Sequence, residues 1–146
     1  MNLHLHIGYP KTGNTTLENY LYPQHPDINY LGIKLPRGFY RKDFVKQEYK
    51  PNVLEFLNLL RTLNDNEFNE KSDYLLKMIE SLDLSENKTN LIAYNILYLG
   101  KIRDTKLEIF LSRFEKLFTK KKIKVYYSFA IRSPCELIAA LYVSLT

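Results

Sequence analysis

Lys11, Thr12, Gly13, Asn14, Thr15 and Thr16 follow one another directly after Tyr9-Pro10. These residue types hold oxyanions. A lysine brings a mobile positive charge. A glycine lets the backbone approach a ligand closely. Asparagine and threonine add side-chain donors, and one of Asn14, Thr15 and Thr16 suits the capping position of a helix. The chemistry is phosphate binding, provided the run forms a tight loop between a strand and a helix, where backbone N–H groups converge on an anion. The flanking residues supply both elements. Leu3-His4-Leu5-His6-Ile7 alternates as a strand does, and Leu17-Glu18-Asn19-Tyr20-Leu21 reads as the first turns of a helix that Pro23 ends near Tyr22.

The run is not the common nucleotide-binding loop, in which a lysine directly follows the second glycine. Gly8 and Gly13 have the right separation, but Asn14 stands where that lysine would be, and Lys11 comes two residues before Gly13. The string from His6 to Leu17, HIGYPKTGNTTL, resembles instead the 5′-phosphosulfate loop of bacterial sulfotransferases that use 3′-phosphoadenosine 5′-phosphosulfate (PAPS). A second stretch is similar to the 3′-phosphate site of that family: the strand ending at Ile131, then Arg132-Ser133-Pro134, then a helix over Cys135–Tyr142. The resemblance implies that Lys11, Thr12, Gly13, Asn14, Thr15 and Thr16 hold the 5′-phosphate, and that Lys11 also acts in catalysis. It implies that Arg132, whose planar fork suits a phosphate, holds the 3′-phosphate. The co-substrate would be PAPS, no metal would be needed, and the product would be a sulfonated hydroxyl or amine of a small molecule or saccharide.

Three positions depart from the family pattern. Ala140 stands where the family has a serine, Tyr94-Asn95 stands where many members carry a serine and an acid, and no acid occupies the stretch near Pro36 where some members place a glutamate base. An asparagine cannot act as a general base near neutral pH. That leaves His6, on the first strand two residues before Gly8, as the candidate base, with Asp43 behind it. His4 and His6 share one strand face. Strand histidines at this spacing more often pack beneath a helix than bind metal. His25, in a His-Pro-Asp turn, reads as structural. Two other readings stay open: a fragmentary or inactive relative that binds PAPS or 3′-phosphoadenosine 5′-phosphate (PAP), and a P-loop nucleotide kinase, which lacks its lysine and its acidic metal ligand here.

The elements that must position these residues are legible in outline. After the first strand and loop, a short strand is expected over Ile28–Leu31 and a basic, aromatic acceptor loop or solvated connector over Lys34–Lys50. A helix opens at Pro51 and carries Val53, Phe56, Leu57, Leu60 and Leu63 at helical spacing; Asn64-Asp65-Asn66 reads as a break, and a second helix follows over Glu67–Ser81. Leu91–Tyr98 is a buried strand, Asp104 caps a helix running to about Phe118, and Ile123–Ile131 is a further strand. The expected fold is α/β: one domain over residues 1–146, a P-loop-like parallel sheet flanked by helices, shorter than the family at its C-terminal end. Leu137, Leu141 and Val143 would then form an apolar flank that invites self-association or a partner chain.

Composition narrows the remaining classes. The formal net charge of +5 suits anionic ligands without singling out nucleic acid, and Lys120-Lys121-Lys122 reads as solvated surface. Cys135, the single cysteine, can form no internal disulfide. No signal peptide and no membrane-spanning apolar run are visible, which points to a cytoplasmic protein with neither membrane nor nucleic-acid partner.

Overall fold

The computed structural model describes residues 1–8, 16–34, 51–94, 106–130 and 133. Within them lies one four-stranded, all-parallel sheet: β1 (Asn2–Gly8), β2 (Ile28–Lys34), β3 (Thr89–Tyr94) and β4 (Lys124–Ala130), in the order β2-β3-β1-β4. The fold is α/β, as the alternation of strand and helix patterns predicts. The helices are α1 (Pro51–Thr62), α2 (Asp65–Glu70), α3 (Ser72–Ser81) and α4 (Leu107–Lys120).

Period-two alternation divides the sheet into two faces. Leu3, Leu5 and Ile7 of β1 and Ile92 and Tyr94 of β3 turn to the helix side and join one apolar core with Phe56, Leu57 and Leu60 of α1, Leu75 and Ile79 of α3, and Phe110, Phe114 and Phe118 of α4. The three α4 phenylalanines recur every four residues and so line one helix face. Their rings follow at 6.0 and 4.5 Å, and Phe56 packs on Phe114 and Phe118 at 6.2 and 5.8 Å. His4 and His6 turn to the other face, where a short π-helical turn (Leu17–Leu21) lies and the Tyr22 ring meets His6.

The connections obey one hand. From β1 the chain moves to β2 along the His6 face; from β2 to β3, and from β3 to β4, it moves in the opposite direction along the helix face. Reversing both direction and face conserves handedness, as parallel crossovers require. Beneath the N-terminal ends of the strands, fully buried Asn90 saturates its amide: Nδ2 donates to the carbonyls of Asn2 and Ser85, both at 2.9 Å, and Oδ1 accepts from Ser85 N–H and Asn29 Nδ2, both at 2.7 Å. A one-residue bulge in β2 between Tyr30 and Ile33 carries Gly32 at φ 107°, a conformation glycine adopts without steric cost.

Two expectations are corrected. The break expected at Asn64-Asp65-Asn66 is narrower, Leu63 and Asn64 between Thr62 and Asp65, and Asn64 also starts the next helix: Asn64 Oδ1 accepts from Glu67 N–H at 3.0 Å while Glu67 Oε2 accepts from Asn64 N–H at 2.9 Å, a reciprocal capping box. The single helix expected over Glu67–Ser81 is two, because Lys71 (φ −90°, ψ 6°) leaves helical geometry between α2 and α3. The caps and elements expected at Asp104, over Lys34–Lys50 and over Cys135–Tyr142, with the flank of Leu137, Leu141 and Val143, fall wholly or largely outside the described residues.

The end of α4 yields a stability prediction. Lys122 N–H bonds to Thr119 C=O at 2.9 Å and Ile123 N–H to Phe118 C=O at 3.0 Å, the paired bonds of a Schellman stop. Lys122 occupies the left-handed position at φ 58°, where a side chain beyond hydrogen crowds the carbonyl. Lys122→Gly is therefore expected to raise stability by about 0.5–1 kcal/mol, offset slightly by greater freedom of the unfolded chain. The urea midpoint checks it; a fall in midpoint would show that the lysine is held by more than its backbone.

Candidate functional site

In an open parallel sheet, ligands bind beyond the C-terminal strand ends, at the crevice between neighbours whose connections leave to opposite faces. Here those neighbours are β1 and β3. The chain leaving β1 returns along the His6 face, and the chain leaving β3 returns through α4 on the other. The crevice thus opens beyond Gly8 and Tyr94. The run Tyr9–Thr16 begins directly after Gly8. Gly8 is also the register partner of Ala130, so the segment that leads to Arg132 departs from the adjacent strand end.

Lys11, Thr12, Gly13, Asn14, Thr15 and Arg132 themselves lie outside the described residues, as do Asp43, Asn95 and Ala140. Thr16 is exposed and already helical in backbone (φ −68°, ψ −45°), and its side chain makes no capping hydrogen bond. The turn that follows is wound wide: Tyr22 N–H bonds to Leu17 C=O at 2.8 Å, five residues back. Such π turns are rare and recur at functional sites.

The described side chains behind the crevice form a polar and aromatic cluster. His6 is 8 % exposed. Its Nδ1 lies 2.9 Å from Ser128 Oγ, its register partner on β4, and its ring meets the Tyr22 ring at 5.9 Å, edge to face. Tyr22 in turn packs against Tyr30 of β2 at 5.6 Å. Glu18 is fully buried one turn before Tyr22. Burial, then the nearby Glu18 carboxylate, pushes the Tyr22 hydroxyl above the usual phenol range, so Tyr22 stays a neutral donor. The Ser128 hydroxyl and the Tyr22 ring can hold the imidazole in one orientation. The cluster covers most of that imidazole.

Sequence reasoning singled out His6 but not Glu18, Tyr22, Tyr30 or Ser128. The signal for the first two is their four-residue separation directly after the loop, which puts both on one side of the turn. Nothing local marks Ser128; it joins His6 only through the β1–β4 register. His25 is structural, its Nδ1 accepting from Asp27 N–H at 3.2 Å within its turn.

A groove of about 490 Å³ lies elsewhere, between α2 and α4, beside Asp65, Phe68, Glu108, Arg113 and Lys116. Its cations are engaged: Arg113 bonds to Leu60 and Leu63 carbonyls and to Asp65, and Lys116 sits over the Phe68 ring. It is a helix-packing seam rather than a ligand site. Among the described residues, no group of three His, Cys, Asp or Glu side chains could hold a metal ion, and no helix is long and apolar enough to cross a membrane. In comparisons with known proteins, no family model, no curated protein and no solved structure matches this chain.

Proposed function

We propose that the chain transfers a sulfonyl group from PAPS to a hydroxyl or amine acceptor. The observation that supports this most is topological: Tyr9-Pro10-Lys11-Thr12-Gly13-Asn14-Thr15-Thr16 departs from the strand end that borders the switch-point crevice. In this reading the loop amides, Thr15 and Thr16 hold the 5′-phosphate and Arg132 the 3′-phosphate. The bond between sulfur and the bridging phosphate oxygen breaks as the acceptor oxygen or nitrogen bonds to sulfur. Lys11 neutralises the charge that gathers on the departing phosphate oxygen, and the acceptor proton passes to a base, for which His6 is the candidate. Catalysis of this kind rests on positioning and charge stabilisation.

A second reading has a specific observation behind it. His6 is largely covered by Tyr22 and engaged by Ser128, which favours a protein that binds PAPS or PAP without turning it over. Calorimetric titration tests both. PAP is expected to bind about 10–100-fold more tightly than 5′-AMP, since the 3′-phosphate adds charge-assisted hydrogen bonds of about 1.5–3 kcal/mol. Sulfonyl transfer from PAPS to an acceptor panel then separates enzyme from binder. A folded chain that binds no PAP would sink both readings, and ATP binding in its place would indicate a kinase.

A further inference from the structure

We propose that β4 is a self-pairing edge, along which two copies of this chain join antiparallel about a two-fold axis at Tyr127. The backbone sets the geometry. Lys124 N–H bonds to Met1 C=O at 3.3 Å, so the peptide groups of Lys124 face β1. Successive residues of a parallel strand alternate in this respect. Tyr126, Ser128 and Ala130 therefore face β1 as well, and Val125, Tyr127 and Phe129 direct N–H and C=O to the opposite side. Among the described residues no strand lies there.

Among the described residues the edge carries little of the usual protection. It has seven residues, no proline, no bulge against β1 and one charge, Lys124. Tyr126 is 37 % exposed and Phe129 52 %. A long aromatic edge of this kind is a template for strand addition.

The side chains select a second copy, and antiparallel. With Tyr127 opposite Tyr127, Val125 falls opposite Phe129 and Phe129 opposite Val125. All three outward residues then meet as hydrogen-bonded pairs, and each position combines an aromatic with a β-branched or aromatic residue, the favoured cross-strand partners. Lys124 falls opposite Ala130, so the two ammonium groups lie at opposite ends of the ribbon. Parallel pairing in register would set Lys124 beside Lys124, a like-charge contact. Sliding the antiparallel register by two residues leaves Val125 or Phe129 without its partner. The contact is isologous and closes at two copies.

Sedimentation of the full chain over roughly 1–100 µM is expected to show a monomer–dimer equilibrium with no larger species. Phe129→Pro is expected to weaken association at least about tenfold while leaving the circular dichroism spectrum and urea midpoint near those of the wild type, because the Phe129 N–H makes no bond to β1 and proline is tolerated at such edge positions. Amide exchange on the wild type reads the interface without any substitution. Val125, Tyr127 and Phe129 should become protected as concentration rises, while Tyr126 and Ser128 are protected throughout. A monomer at every concentration, open-ended growth, a dimer that survives Phe129→Pro, or outward amides protected independently of concentration would each overturn the proposal. The last outcome would show that the chain's own residues cover the edge.

Discussion

On the proposed function, Lys11→Ala is expected to weaken PAP binding by about 10–100-fold and to slow sulfonyl transfer by a further factor of about 10²–10³. Two states of the ligand lose different amounts. In the ground state one ammonium–phosphate bond is lost, worth about 1.5–3 kcal/mol where a charged group takes part. In the transition state more charge has gathered on the bridging oxygen, so the same deletion costs more, about 10²–10³ in rate on top of binding. Lys11→Arg should recover part of the binding and little of the transfer, because a planar fork cannot place its charge where a compact ammonium does. Stability should move by less than about 0.5 kcal/mol, as for loop substitutions away from the core. Calorimetry with PAP, single-turnover transfer and a urea titration supply the three readouts. Unchanged PAP affinity in Lys11→Ala would remove the lysine from the site and the sulfotransferase reading with it. Lost transfer with lost stability would mark the residue as structural.

The sheet was legible because its strands are either alternating, as in Leu3–Ile7, or continuously apolar, as in Leu91–Tyr94. Both patterns follow from burial on a pleated surface. The order β2-β3-β1-β4 was not legible, since neighbours in a parallel sheet are set by which helices cover which face. Without that order the switch point stays hidden. The helix spacing of Phe110, Phe114 and Phe118 exposed the core face of α4, but the same pattern cannot tell a capped restart from a break. Asn-Asp-Asn offers side-chain oxygens to any nearby N–H, and turn and cap use identical chemistry. Glu67, three residues after Asn64, was the clue that decides for a cap.

The candidate site divides the same way. The loop chemistry proposed for Lys11–Thr16 rests on consecutive residues alone, and Lys11–Thr15 lie outside the described residues. The cluster of His6, Ser128, Tyr22 and Glu18 comes from three separate segments and exists only once β1 and β4 are in register and the π turn is closed over them. Burial of Glu18 is least visible of all, because a glutamate in a first helical turn is ordinarily a solvated partner of the helix dipole.

Arg113 illustrates how far such inversion can go, and Arg113→Ala is expected to destabilise the fold by about 3–5 kcal/mol. On the sequence it is one of several cations scattered along α4. In the structure its side chain is 7 % exposed. Nη1 donates to Leu60 C=O at 3.2 Å and to Leu63 C=O at 2.7 Å, at the C-terminal end of α1, where helix carbonyls have no partner of their own. Nη2 donates to Asp65 Oδ1 at 2.6 Å in the first turn of α2, and the guanidinium lies 4.9 Å from the Phe68 ring centre. One side chain of α4 therefore stops α1, starts α2 and fixes the bend between them. Removing it strands two carbonyls, at about 1–3 kcal/mol each where water cannot reach, and opens a void beneath Phe68. The ion pair contributes little of this. Asp65 is 83 % exposed, so Asp65→Ala should cost no more than about 1 kcal/mol. Arg113→Lys should recover less than half, since an ammonium cannot reach both carbonyls and the carboxylate with the geometry of a fork. Urea unfolding of the three variants distinguishes the contributions. Comparable losses in Asp65→Ala and Arg113→Ala would mean that the salt bridge, not the capping of α1, holds the two helices at their bend.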